Sequence, residues 1–143
     1  MYSQIKNILG LFCIVYFTAC NVQSNAIKGI VNLARRSDCQ GPCGKVMPCE
    51  GKVFTLEIAL NGNNILQGGR SLFVRDPDNF DYTVKIEFSE SIPAEKYQSA
   101  KDGGFKSMRV TGTVEGYDVF VHETCTRSYI FKVNKASDFS LLH

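Results

Sequence analysis

Tryptophan does not occur in this chain, and histidine scarcely does: His122 and the terminal His143 are the two. General acid–base catalysis and histidine-based metal sites therefore have little to work with. His122 lies between Val121 and Glu123 with no paired nucleophile or second ligand, and it reads as a surface residue of a strand. Gly-x-Ser-x-Gly, His-Glu-x-x-His, a P-loop and a dinucleotide fingerprint are all missing. The sequence thus gives an enzyme no motif to stand on. No Cys-x-x-Cys pair occurs, so thioredoxin-like exchange lacks its motif as well. A charge excess is missing too. Sixteen basic against 14 acidic residues leave +2, too little to draw the domain on to nucleic acid by its field. Asp76, Asp78 and Asp81 cluster without the EF-hand spacing, and turn chemistry accounts for them. There is no internal repeat and no low-complexity segment.

What is present amounts to one domain of ordinary composition. The chain has 143 residues, of which 44% are hydrophobic, enough for a single core and against wholesale disorder. The N-terminus is different in kind. A short polar stretch with Lys6 precedes Ile8-Leu9-Gly10-Leu11-Phe12-Cys13-Ile14-Val15-Tyr16-Phe17, an uncharged run too short to span a bilayer but of signal-peptide length. Thr18 and Ala19 follow, small residues of the kind a signal peptidase binds closely, and then Cys20.

Phe17-Thr18-Ala19-Cys20 resembles the lipobox of bacterial lipoproteins, with Phe17 departing from the usual Leu. The resemblance implies cleavage before Cys20, two acyl chains on its sulfur and a third on its new amine, which is stable anchoring. Asn21, not Asp, implies sorting to the outer membrane, facing the periplasm. We therefore expect residues 1–19 to be a signal peptide and 20–48 a lipidated tether and Cys-rich loop. Residues 49–134 should form the folded domain and 135–143 a C-terminal tail. An ordinary secretory signal cut near Ala19 and an uncleaved anchor are the competing readings.

Export changes what the remaining cysteines mean. Cys39, Cys43, Cys49 and Cys125 form an even set in an oxidising compartment, which reads first as two disulfides. Three pairings exist and spacing does not choose among them. We prefer Cys49–Cys125, tying the first strand to the last, with Cys39–Cys43. The alternative is a copper or zinc site built from Cys39, Cys43, Met47 and Cys49, soft ligands within one Gly/Pro-rich loop. No other cofactor is expected.

Along the domain, Phe54, Leu56, Ile58 and Leu60 alternate with polar residues as a strand, and Asn61-Gly62-Asn63-Asn64 ends it. Arg70 to Arg75 and Tyr82 to Phe88 read as a hairpin across the Asp76-Pro77-Asp78-Asn79 turn. Ile92 to Lys101 reads as a helix, capped by Ser91 and stopped by Gly103-Gly104. Met108, Val110 and Val114 share one face of a fourth strand, where Gly112 signals a bulge or a close backbone approach. Gly116-Tyr117-Asp118 reads as a turn, and Val119 to Val133 supplies the last strand or strand pair. The tail from Asn134 shows no period.

This order, with a helix between the third and fourth strands, resembles the OB-fold barrel over Cys49 to Val133, and Val110-Thr111-Gly112-Thr113-Val114 resembles its fourth strand. The fold expected is mainly β: a small five-stranded OB-like barrel with one short helix, with a twisted open sheet or a small sandwich as the competing architecture. The resemblance implies a ligand face, for which Phe73, Phe120, Arg109 and Tyr129 are the candidates. The function expected is that of a non-enzymatic, lipid-anchored envelope module. It would meet the membrane through its lipid and bind an envelope protein or an oligosaccharide, with nucleic acid disfavoured by the compartment.

Overall fold

The computed structural model describes residues 25–143. The expected signal peptide and the expected lipidation site at Cys20 lie outside these residues. Among them no helix is long and apolar enough to cross a membrane.

The domain is mainly β and is built on one sheet of eight strands. These are β1 (Ile27–Lys28), β2 (Val53–Ala59), β3 (Ile65–Gly68), β4 (Ser71–Arg75), β5 (Thr83–Phe88), β6 (Ser107–Val121), β7 (Thr124–Val133) and β8 (Phe139–Leu142). They lie side by side as β1-β2-β6-β7-β5-β4-β3, with β8 also on β6. The pairs are antiparallel except β1–β2 and β5–β7. The expected closed barrel of five strands is not what forms. No ladder joins β2 to β3, so the sheet is open. The reason is local. Asn61 accepts the N–H groups of Asn63 and Asn64, and the buried Asn64 side chain donates to Ala59 O and Arg75 O at 2.9 Å each. The chain is turned out of β2 before a continuous strand can wrap around.

The core follows the alternation. Leu56, Ile58, Leu72, Val74, Ile86, Met108, Val110 and Phe131 are fully enclosed on the inner face. Helix α2 (Glu95–Gln98), prolonged by a 3-10 turn over Ser99–Lys101, closes one end of the sheet. Tyr97 stacks on Phe88 with ring centres 4.1 Å apart, and Phe139 meets Phe88 edge-on. The helix is shorter than expected and Ser91 does not cap it. Its hydroxyl pairs with Ser89 Oγ instead, and Ala94 is the first flanking residue.

Three further expectations are corrected. Residues 27–34 are not tether: β1 pairs with β2, and helix α1 (Ile30–Ala34) buries Ile30 and Leu33. The tail is not formless, since β8 pairs with Ser107–Val110. Gly116-Tyr117-Asp118 is no turn. β6 runs straight through it to Val121, and the reversal comes at His122-Glu123, where His122 takes φ 54°. Gly112, by contrast, stands where expected: a Cβ there would lie 2.8 Å from Lys132 O on the neighbouring strand.

Candidate functional site

The Cys-rich loop, residues 35–52, is fastened to the sheet from several directions. Gly51 N–H donates to Val114 O, and Val114 N–H to Lys52 O. Asp38 is held by Arg36 and Lys52, and the Arg36 hydrogen bond keeps its carboxyl below the usual range. The disulfides are Cys39–Cys49 and Cys43–Cys125. Two disulfides were expected, but the preferred pairing is wrong on both counts. Cys39 and Cys49 are fully buried beside each other, because Cys49 N–H donates to Asp38 O and folds the loop back on itself. Cys43 is thereby left at the outside of the loop, where it meets Cys125 on β7. The proposed metal set of Cys39, Cys43, Met47 and Cys49 does not converge: its three sulfurs of cysteine go to two different bridges, and Met47 packs against Gly41.

Next to Cys125, an ion cluster binds this loop to the strands. Arg127 reaches Glu50 with one amino group and Asp118 with the other, the latter at 2.7 Å. All three side chains are largely buried, with 11%, 10% and 22% of their surfaces exposed. Met47 N–H donates to Glu50, and Gly44 N–H to Asp118. Burial pushes the Glu50 carboxyl up, but the bonds from Arg127 and Met47 outweigh it and hold it low. Arg127 and Gly44 likewise hold Asp118 low, and the Glu50 hydrogen bond raises the guanidinium. Gly116 is the residue that leaves room for this: a Cβ there would collide with Glu50 and Arg127. Cys43, Cys125 and Asp118 place sulfur and oxygen atoms within 4.8 Å of one another. In this structure the two sulfurs are bonded to each other.

Beyond the cluster, β6 and β7 continue as a two-stranded arm. Between this arm and the turn that joins β4 to β5 lies an open groove of about 1000 Å³. Phe80 and Val121 form its apolar rims, at 54% and 59% exposure. Thr124 and Thr126 offer hydroxyls along the arm, Arg75 stands toward the sheet, and Tyr129 closes the floor. The opposing turn is held locally: Asp76 Oδ1 accepts the N–H groups of Asp78 and Asn79, the chemistry expected of Asp76-Pro77-Asp78-Asn79. A second hollow of about 290 Å³, lined by Leu66 and Phe73, shares Arg75 and Thr83 with the groove and extends it across the outer face of β4.

The candidate ligand residues are thus dispersed. Phe73, half-exposed beneath the Lys85 ammonium at 5.6 Å, lies in the smaller hollow. Tyr129 is only 3% exposed and is a core residue: its hydroxyl donates to Cys39 O, and burial raises its pKa, so it stays protonated. Phe120 is 71% exposed, but it pairs with Cys125 on the arm face that alternates with Val119 and Val121, away from the groove. Arg109 lies opposite Glu57 at 3.8 Å, remote from the arm in a ladder with Lys28. Sequence reasoning missed Phe80, Val121, Thr124, Thr126 and Arg75. Only the turn residues flanking Phe80 hinted that an aromatic there would be displayed.

No family model and no curated protein matches this chain. Among solved structures, it is similar to the aspartyl tRNA synthetase from Entamoeba histolytica, with a TM-score of 0.42 and 17% identity over 65% of this chain. The match spans 19% of that protein.

Proposed function

We propose that this chain is a non-enzymatic binding module, held at a bacterial envelope by lipid on Cys20, whose partner lodges between the Asn79–Thr83 segment and the β6–β7 arm. The observation that carries this reading is the groove: about 1000 Å³, apolar at its rims, hydroxyl-lined along one strand. Its size and mixed lining suit recognition. Both walls are independently fixed, one by the Asp76 cap and the other by Arg127 and the Cys43–Cys125 bridge. Rigid walls let a partner bind without first ordering its site.

The finer fold reading is OB-like. It takes β2 and β3 as one strand broken at Asn61–Asn64, followed by β4, β5, α2, β6 and β7 in the order of that fold. On this reading the groove and the Phe73 hollow form the ligand face, and the partner is an envelope protein or an oligosaccharide. The copper or zinc alternative requires both bridges to open, the buried Cys39–Cys49 as well as Cys43–Cys125.

A photoreactive residue placed at Phe80 or Val121 in living cells should give a discrete adduct, and one placed at Thr111 in the outer-face ladder should not. Equal labelling at all three positions, or none, would overturn the groove as the binding face. Labelled palmitate should enter the wild type and not Cys20→Ser.

A further inference from the structure

β7 is longer than the strand that covers its outer edge. The parallel ladder with β5 begins at Val84–Tyr129, and just ahead of it the Ser128 hydroxyl donates to Thr83 O, so Thr124 to Arg127 run on with β6 on one side only. Backbone directions alternate along a strand. Val133 O accepts the Ser89 N–H on the β5 side. Counting back by twos, Tyr129, Arg127 and Cys125 aim their N–H and C=O groups to that same side. Tyr129 meets β5. The N–H groups of Arg127 and Cys125 find no backbone acceptor among the described residues. They look across the groove toward the Asn79–Thr83 segment.

Folded proteins guard such an edge with proline, lysine or an inward-pointing charge. Thr124-Cys125-Thr126-Arg127 has no proline and no lysine. Its one charge is turned back on to Glu50 and Asp118. The residues that remain, threonines on a pleated edge, suit a further strand. Four overhanging residues provide about 13 Å of edge at about 3.3 Å each, which is room for a segment of about four residues. Phe80 and Val121 stand on either side of that track for apolar side chains. Arg75, which makes no ion pair among the described residues, lies in the same groove.

We propose that the groove receives an extended segment of a partner polypeptide, which adds to β7 as a new strand and presents an acidic side chain to Arg75. This deepens the reading of the groove as the binding face and rests on it. Backbone hydrogen bonds to Cys125 and Arg127 supply affinity that is independent of the partner's sequence. The apolar rims and Arg75 select among partners.

The test begins with random dodecapeptides displayed on phage, panned against the full chain in detergent micelles. Selected peptides are then made free and capped. Strand addition predicts at least tenfold slower amide exchange at Cys125 and Arg127 when peptide is bound. It also predicts at least tenfold weaker binding after N-methylation of alternate peptide amides, which removes donors and leaves the side chains intact. Arg75→Glu should turn the selected peptides from acidic to basic. Peptides that perturb Phe80 and Val121 but leave both amides exchanging freely would sink strand addition while the groove reading stands. A library yielding no groove-bound peptide would overturn it as well. So would protection that grows with protein concentration in the absence of peptide, which would assign the edge to a second copy of this chain.

Discussion

Gly112 faces Phe54 across the β2–β6 ladder and lies under Lys132 on the other side, where a methyl group would stand 2.8 Å from a backbone oxygen. Backbone cannot swing aside as a side chain can. Gly112→Ala should therefore cost about 1–3 kcal/mol, measured as a lowered denaturant midpoint with unchanged slope. This glycine was legible in the sequence because a glycine inside a strand pattern marks a bulge or a close backbone approach. Gly116 was not, although the two are chemically alike. Its cause is the Glu50 carboxylate and the Arg127 guanidinium, brought in from distant parts of the chain. Tyr129 failed for the same reason. An aromatic on an alternating strand reads as displayed until the partner of its hydroxyl, Cys39 O, is known.

The strands that sequence pattern located were the longer ones: β2, β4, β5, the first half of β6 and the stretch from Val119 to Val133 that holds β7. The short ones escaped. β1, β3 and β8 have two to four residues, too few for a period, and they exist because a longer neighbour offers an edge. The pairing of the cysteines escaped as well, since it is decided by how residues 38–49 curl. The two bridges should behave differently. Cys39–Cys49 is sealed in the core, whereas Cys43 and Cys125 are each partly exposed. Graded reduction followed by thiol blocking and mass mapping, with a cut between Cys39 and Cys43, should open Cys43–Cys125 first. That bridge closes a separation of 82 residues against 10. Chain entropy gives it about 4–5 kcal/mol, against about 2.5–3 kcal/mol for the shorter loop. Joint replacement of Cys43 and Cys125 by serine should show a loss of that order in equilibrium unfolding.

At the scale of the whole molecule, Arg127 joins three parts of the fold: the Cys-rich loop through Glu50, β6 through Asp118, and its own strand. Both carboxyl groups are held below their ordinary values in the folded state. A group of that kind stabilises fully above its unfolded pKa, near 4.5 for Glu50 and 3.8 for Asp118. The contribution is lost as pH falls through the lower folded value. Thermal stability should thus be level from neutrality to about pH 5 and fall steadily below it. Arg127→Met removes the cation and leaves two buried carboxyl groups facing the same space, so it should be strongly destabilised at pH 7. Its deficit relative to the wild type should narrow toward pH 3. A deficit constant with pH would mean that Arg127 acts by packing alone. None of this cluster was legible in the sequence, because Glu50, Asp118 and Arg127 carry no spacing that marks them.

The parallel joint between β5 and β7 should slow folding. It connects residues 84–88 to 129–133, and the strand that lies between them in the chain, β6, must also find β2 from the opposite end of the domain. No half of this sheet can form a complete hydrophobic layer by itself. Such reliance on distant pairings makes for slow folding. A chain emerging N-terminus first cannot complete this joint until Val133 has appeared, and the export proposed above would draw on that delay, since a chain slow to close stays threadable.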